Sequence, residues 1–363
     1  MTALSPGSNR PEAGRGLAGG PRTVVVRHGL LSLRLRVRTL AVGGAIAAVA
    51  LALAILALCL GDLALTPGQV VGALLGIDGG FTATVVREWR LPRVLAALIF
   101  GAALGVSGAV FQSLTRNPLA SPDVIGLSAG SYAGGLSVIL LVGAGAGTVA
   151  VSGGAIGGGL VAAALVYALA YRRGIQGFRL IVVGIGVSAM LQALSTYLLL
   201  RAKVEVAMIA AVWGAGSLSP VGWSQVLPAT GVIVAACAAL GLFSRALSRL
   251  ELGDDAARAL GIRVEKSRLG LVVCAVALTA AVTASAGPIA FVALAAPQIA
   301  LRLTRTAGIA LAPSALVGAV VLLASDIVAQ HVLPIPLPVG LVTVVVGGLY
   351  LVWLLIHETR RRA

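Results

Sequence analysis

Long apolar stretches alternate with short polar segments along most of this 363-residue chain. A helix that crosses the ~30 Å hydrocarbon core of a bilayer needs about 20 mostly apolar residues. By this criterion the pattern predicts ten membrane-spanning helices, at residues 39–60, 93–113, 124–143, 147–171, 178–200, 226–247, 268–287, 289–303, 312–331 and 337–357. We therefore expect an all-α polytopic membrane protein.

The third predicted segment and, above all, the eighth have weaker apolar patterns than the others. The eighth is short, contains Pro297 and directly follows Gly287 and Pro288. Proline removes a backbone donor and interrupts a helix. Irregular backbone at membrane depth is tolerated only where protein or a water-filled cavity surrounds it. We expect a broken or re-entrant helix here.

Composition excludes several classes of protein. With 59% hydrophobic and only 11% charged residues, the chain has too much apolar surface for a soluble enzyme and too little polarity for a disordered chain. The net charge of +15 does not indicate nucleic-acid binding, because long apolar runs separate the basic residues.

The basic residues also orient the chain. With the N-terminus inside, 22 of the 27 Lys and Arg residues fall on the inner side and five outside, namely Arg87, Arg90, Arg93, Arg201 and Lys203. This positive-inside asymmetry supports an even number of spans and two cytoplasmic termini. We expect a basic tail over 1–38, disordered through residue 28 and anchored to anionic lipid by 34–38. A permease domain covers 39–357, and 358–363 form a short C-terminal tail.

The sequence lacks several local signatures of enzymes. It contains no GxxxxGK[ST] phosphate loop and no metal-pair spacing of histidines, and Cys59, Cys237 and Cys274 form no CxxC pair. Asp326 is the one acid well inside a predicted span, where it either belongs to a proton relay or caps a helix break near Ser325. A single acid does not make a relay, so we expect the energy to come from another subunit and no cofactor to be bound by this chain.

Two segments near the second span carry specific information. Arg90 and Arg93, in Arg-Leu-Pro-Arg, enter this span from outside. Guanidinium groups bind carboxylates bidentately, which suits an extracytoplasmic partner, although interfacial snorkelling explains the two arginines equally.

Small residues at 101, 105 and 108 allow close helix contact. Asn117-Pro118 and Ser121-Pro122 then predict a tight turn, either a plug at the inner end of a pore or an ordinary connection.

A mixed-charge segment at 250–266 predicts two short cytoplasmic helices joined at Gly253. Asp254 and Asp255 are expected to cap the second helix, and Gly261 to end it. This hairpin is either a docking element for a partner or a solvated loop. A further segment, 287–302, echoes 108–118 approximately. It predicts that spans 2–5 and 7–10 form an inverted repeat, as in many transporters.

Together these segments resemble the FecCD-type permease subunits of ABC importers for iron–siderophores and cobalamin. The resemblance covers about residues 40–357. It rests on RLPR (90–93), GAALGVSGAVFQSLTRNPLASP (101–122), LGDDAARALGI (252–262), GPIAFVALAAPQIA (287–300) and LPVGLVTVVVGG (337–348). The stretch at 111–122 is most similar to the second permease of an enterobactin-type ferric siderophore system.

The resemblance implies a type II ABC importer permease fold in the cytoplasmic membrane. It implies a second permease subunit, with a sister chain favoured over a homodimer, two cytoplasmic ATPases that use ATP, and an extracytoplasmic siderophore-binding lipoprotein. The expected cargo is a ferric siderophore, with cobalamin or haem as the alternative. The alternative from another class is a secondary carrier or exporter without an ATPase.

The resemblance also assigns roles to residues. Arg90 and Arg93 correspond to arginines that pair with glutamates of the binding protein, and Asn117 and Leu119 to a cytoplasmic gate. The ATPase-coupling positions are Glu251, Gly253, Asp254, Asp255, Ala256, Ala257 and Gly261. The translocation path corresponds to Ser188, Gln192, Ser195 and Thr196, whose spacing predicts one wettable stripe. The sequence departs from the family pattern at Gln298, Gln330, His331 and Pro336–Pro338.

Overall fold

The computed structural model describes residues 23–28, 31–123, 126–143, 147–171, 177–306, 308 and 310–362. Its helices are α1 (Val37–Cys59), α2 (Pro67–Leu75), α3 (Phe81–Thr115), α4 (Leu127–Val142), α5 (Thr148–Ala170), α6 (Gly177–Arg201), α7 (Val204–Gly214), α8 (Trp223–Leu242), α9 (Ser244–Leu250), α10 (Asp254–Ala259), α11 (Val264–Ala286), α12 (Val292–Thr304), α13 (Leu311–Val332) and α14 (Val339–Arg362). Val85–Arg90 in α3 and Val328–Val332 in α13 have π-helical geometry.

Each of the ten predicted spans coincides with a helix, which confirms the all-α membrane fold. Within the described residues, seven helices are long and apolar enough to cross a membrane, and four further apolar helices are shorter. Two helices, α2 and α7, were not predicted. The helix α3 begins at Phe81, well before the predicted start at residue 93, because charged residues in its first turns hide the helix from a search for apolar runs.

The eighth predicted span is short, as its sequence suggests. The helix α12 has 13 residues and is therefore about 20 Å long, less than the ~30 Å of a hydrocarbon core. The preceding residues 288–291 are not helical, and Gly287 and Phe291 both have positive φ, 74° and 67°. The prediction of a broken helix is confirmed.

Two strands, β1 (Thr23–His28) and β2 (Leu31–Arg36), pair antiparallel, with Thr23 opposite Arg36 and His28 opposite Leu31. Here the structure differs from the predicted disordered tail and basic anchor. The Thr-Val-Val-Val run and the alternation of Leu with polar residues favour strands locally. The rest of that tail, residues 1–22, lies outside the described residues.

Backbone contacts through small residues place α3 at the centre of the bundle. Gly101 lies against the backbone of Gly318 in α13, and Gly105 lies against Ser314. Gly108 lies against the carbonyl group of Ala293 in α12. Small residues allow helices to approach this closely, and the prediction of close helix contact at 101, 105 and 108 is confirmed.

Large apolar side chains remain exposed on the outer helices, among them Leu51, Val161 and Leu200. A soluble monomer rarely exposes so much contiguous apolar surface. In a bilayer the same side chains face lipid, so the exposed surface agrees with an integral membrane protein.

Gly108 offers a direct test of the central packing. A Cβ atom at this position overlaps the carbonyl oxygen of Ala293, so we expect Gly108→Ala to force α3 and α12 apart at a cost of about 1–3 kcal/mol. The melting temperature of the detergent-solubilised chain should fall. Gly231→Ala is the matched control, because Gly231 lies in α8 with open space around it. Equal melting temperatures for the two variants would contradict this packing.

Candidate functional site

Polar side chains gather at both ends of α3. One cluster surrounds Arg90 and Arg93 near its beginning, at the end that the arginine distribution predicts to be extracytoplasmic. The other surrounds Arg116, directly after its last residue, at the predicted cytoplasmic end.

At the outer end, Arg93 forms a bidentate ion pair with Asp326 of α13. Its Nε lies 2.9 Å from Oδ2, and its Nη2 lies 2.7 Å from Oδ1. The side chain of Asp326 is 9% exposed and that of Arg93 is 22% exposed. The helix-break cap weighed for Asp326 from the sequence is wrong, since α13 continues through Ser325 to Val332. The partner of Asp326 lies 233 residues away in the chain.

Arg90 and Arg87 bind backbone carbonyl groups of neighbouring segments. Arg90 donates to the carbonyl oxygens of Leu58 at 2.8 Å and Leu63 at 2.6 Å, around the end of α1. Arg87 donates to Ala73 at 2.6 Å, in the last turn of α2. Cations at helix C-termini satisfy carbonyl groups that have no partner within the helix. These arginines hold the outer segments on the bundle.

A cavity of about 960 Å³ opens at this end, and Arg90 and Arg93 both line it. The structure thus brings the two predicted docking arginines together. It adds Asp326, Gln330 and His331 to the same wall, three residues that a search for basic motifs does not connect with them. Gln330 donates to the carbonyl oxygen of Leu337 at 3.0 Å.

At the inner end, a tight turn follows α3, as predicted. Arg116 adopts a left-handed conformation with φ 51°, and the Asn117 carboxamide oxygen accepts from the Leu119 N–H at 2.9 Å. This side-chain bond mimics a backbone turn. Leu119 is exposed, so the turn presents an apolar side chain. A gating role for Asn117 and Leu119 stays a prediction.

Asp123 is a titratable residue beside this turn that the sequence analysis did not single out. The Ser128 hydroxyl, at the start of α4, donates to its carboxylate. Burial raises the pKa of Asp123 to about 6, and the hydrogen bond from Ser128 limits the increase. Asp123 therefore holds its proton more readily than an exposed aspartate does.

The predicted cytoplasmic hairpin is present as α9 and α10, and Gly253 joins them with φ 114°. Gly261 has φ 78° and follows the last turn of α10, as predicted. The N-cap position is Gly253 rather than an aspartate, so the predicted capping bond is wrong. Asp254 and Asp255 do lie in the first turn, where negative charge stabilises the positive end of the helix as predicted. Asp255 instead pairs with Arg258 at 2.9 Å.

The predicted coupling residues differ in exposure, because they lie on different faces of the hairpin. Glu251, Asp255, Ala256 and Gly261 are exposed, whereas Gly253 and Asp254 are half-buried. Ala257 is fully buried inside the chain. A partner therefore cannot touch Ala257 directly, and a bulky substitution there would disturb the hairpin itself. Coupling through the exposed face stays a prediction.

The predicted path residues of α6 differ in exposure within this chain. Ser195 is 2% exposed, Ser188 is half-buried, and Gln192 and Thr196 are exposed. The Ser195 hydroxyl donates to the Leu191 carbonyl oxygen of its own helix at 2.9 Å. Neighbouring helices therefore cover Ser195, whereas Gln192 and Thr196 lie on the exposed surface. A role of these four residues in a translocation path stays a prediction.

Gln298, one of the departures from the family pattern, lies in a buried amide pair. Its Nε2 donates to the Oε1 of Gln112 at 2.7 Å, and the Nε2 of Gln112 donates to the Leu294 carbonyl oxygen at 3.0 Å. This chain of hydrogen bonds joins α3 to α12 one turn before the turn at residues 116–119, which we call the gate turn after its predicted role.

The outer ion pair can be tested by removing one charge. Asp326→Asn leaves Arg93 without its counter-charge in a partly buried site, so we expect a loss of about 2 kcal/mol or more. Asp62→Asn is the matched control, because Asp62 is an exposed carboxylate on the same cavity. The melting temperature of the solubilised chain is measured for both variants and for the wild type. An Asp326→Asn variant that melts with the wild type would argue against the pair.

The comparisons with known proteins agree with this arrangement. The model of the FecCD transport family matches residues 49–357. The ferric enterobactin transport system permease protein FepG of Escherichia coli (strain K12) is 51% identical over 303 residues, covering 83% of this chain and 91% of that protein. The hemin transport system permease protein HmuU of Yersinia pestis is 34% identical over 290 residues, covering 76% and 84%.

A solved structure shows the same fold. An inward-facing metal-chelate type ABC transporter superposes with a TM-score of 0.75 at 26% identity, covering 88% of this chain and 99% of that chain. The resemblance seen in the sequence motifs is therefore confirmed over most of the chain. The apolar helices make the chain an integral membrane protein, and it belongs to the FecCD transport family.

Proposed function

We propose that this chain is the permease subunit of an ATP-driven importer that moves a ferric siderophore of the enterobactin type across the cytoplasmic membrane. The observation that carries the proposal is the 51% identity to the ferric enterobactin permease. Identity to the haemin permease is lower, at 34%, which favours a siderophore over haem as cargo.

The proposed complex contains this chain, a sister permease, two cytoplasmic ATPases and an extracytoplasmic binding lipoprotein. The ferric chelate passes between the two permeases, both termini of this chain are cytoplasmic, and no cofactor is bound by it. No bond of the cargo is broken. ATP hydrolysis supplies the free energy, and different affinities of the ATPases for ATP in the outward-open and inward-open states couple it to the movement.

The outer cavity fits a binding protein that presents carboxylates. Asp326 uses two of the five N–H donors of Arg93, so the same guanidinium can serve a second carboxylate. Arg90 contributes a second positive charge to the same cavity. Docking thus adds an acceptor to Arg93 rather than finding a free side chain.

Uptake measurements test the proposed cargo and energy source together. Cells without their own ferric siderophore permeases, supplied with this chain and the remaining subunits of its system, should accumulate radiolabelled ferric enterobactin. Haemin and cobalamin serve as comparison cargoes. Accumulation of either in place of ferric enterobactin would contradict the cargo, and accumulation that survives inactivation of the ATPase would contradict the importer.

A charge swap separates docking from folding. In the double variant Arg93→Asp with Asp326→Arg the internal ion pair is kept, but the charge at position 93 is inverted. We expect affinity for the binding protein to fall at least about tenfold, with near-normal yield of folded protein. Arg93→Glu and Arg90→Glu alone should also reduce association and uptake.

Arg201→Glu is the matched control, since Arg201 is an exposed basic residue at the end of α6 and lies outside the cavity. Association is measured between the purified complex and the binding protein. Wild-type affinity in the swapped variant would show that Arg93 serves the fold alone.

A further inference from the structure

One carboxylate at the inner end joins three separate segments of the chain. Asp254 is the first residue of α10. Its Oδ1 lies 2.8 Å from the Nη2 of Arg268 in α11 and 3.2 Å from the Nη2 of Arg116, directly after α3. Its Oδ2 lies 3.0 Å from the same Nη2 of Arg268. The coupling hairpin is therefore tied at one point to α11 and to the gate turn.

The two ion pairs differ in strength. The side chain of Arg268 is 7% exposed and also lies 4.0 Å from the Glu265 carboxylate. A buried charge that loses its partner is destabilising by several kcal/mol, so this pair is a firm anchor. The side chain of Arg116 is 51% exposed, and an ion pair so exposed contributes little to stability.

Arg116 contacts both halves of the hairpin. Besides Asp254 at the start of α10, its Nη2 reaches the carbonyl oxygen of Leu250, the last residue of α9, at 3.0 Å. A displacement of either short helix therefore displaces the same guanidinium.

The backbone of Arg116 is part of the gate turn. The N–H of Arg116 donates to the carbonyl oxygen of Ser113 at 3.2 Å. The N–H of Asn117 donates to the carbonyl oxygen of Gln112, also at 3.2 Å. Left-handed backbone at a non-glycine residue is uncommon and is held in place by its surroundings. A displacement of the Arg116 side chain therefore acts on the residue at which α3 ends and the turn begins.

The hairpin also packs against α3 through α9, but open space separates part of the hairpin from the turn. A cavity of about 550 Å³ lies beside the contact, and Asn117 and Pro118 of the turn and Glu251 and Leu252 of the hairpin line it. Side chains do not fill this space, so movement is not transmitted there by close packing. The arginine contact bridges the gap.

We propose that Arg116 and Asp254 form the link through which displacement of the coupling hairpin moves the gate turn, with Arg268 anchoring Asp254 to α11. The proposal rests on the proposed function, in which ATPases act on this hairpin. Arg116 and Asp254 are positioning residues, since neither touches cargo or nucleotide. Asp254 thus acts within the chain rather than toward the ATPase.

The first test measures coupling in proteoliposomes that contain the whole complex and ferric enterobactin. Arg116→Gln should keep the ATPase bound and hydrolysing ATP, while cargo moved per ATP falls at least fivefold. Asp254→Asn should give the same loss, and the double variant should lose no more than either single variant. Arg116→Lys retains the charge and should recover part of the coupling.

Arg305→Gln is the matched control, because Arg305 is an exposed basic residue directly after α12, outside the hairpin, and has the same φ of 51° as Arg116. It should transport like the wild type. Wild-type transport per ATP in Arg116→Gln would overturn the link. Release of the ATPase by this variant would also overturn it, since Arg116 would then be a docking contact.

The second test needs no cargo, so it decides the link even if the proposed cargo is wrong. Spin labels at Leu119→Cys and Leu260→Cys, in a chain whose native cysteines are replaced, report the distance between gate turn and hairpin. Arg116→Gln should broaden the distance distribution relative to Arg305→Gln. An unchanged distribution would overturn the link, whereas a wild-type complex that fails to move ferric enterobactin would count against the proposed function alone.

Discussion

Close packing of α3 against α12 and α13 is the constraint on which the rest of the structure depends. Three glycines, Gly101, Gly105 and Gly108, bring its backbone against its neighbours, because side chains there would hold the helices apart. This contact fixes the position of α3 along its own axis. Arg93 then meets Asp326 at one end, and Arg116 meets Asp254 at the other. The two polar clusters are the two ends of one rigid element.

Local pattern was sufficient for the elements of this fold. Apolar length marked the ten spans, Gly253 and Gly261 marked the limits of α10, and Asn117-Pro118 marked a turn. Each of these features is decided by residues close together in sequence. The strands at 23–36 were missed, because nearby arginines suggested a solvated tail.

Pairings between distant segments could not be predicted in the same way. Arg93 and Asp326 are 233 residues apart, and Arg116 and Asp254 are 138 apart, so no spacing rule joins them. The second difficulty was to predict which side of each helix is covered by its neighbours. Helical spacing placed Ser195 on one face with Gln192, but only the neighbouring helices decide which part of that face is covered. In a chain that is apolar almost all round, periodicity gives little guidance to that choice.

The shortness of α12 has a consequence for biogenesis. A helix of 13 residues preceded by irregular backbone cannot partition into lipid as an independent unit, because its unpaired backbone groups have no water there. The nearby junctions are held by bonds from elsewhere in the chain, from Ser217 to Ala286 at 2.7 Å and from Gly340 to Gly216 at 3.0 Å. The segment must therefore stay in a protected environment, at the insertion machinery or against α3, until the neighbouring helices cover it.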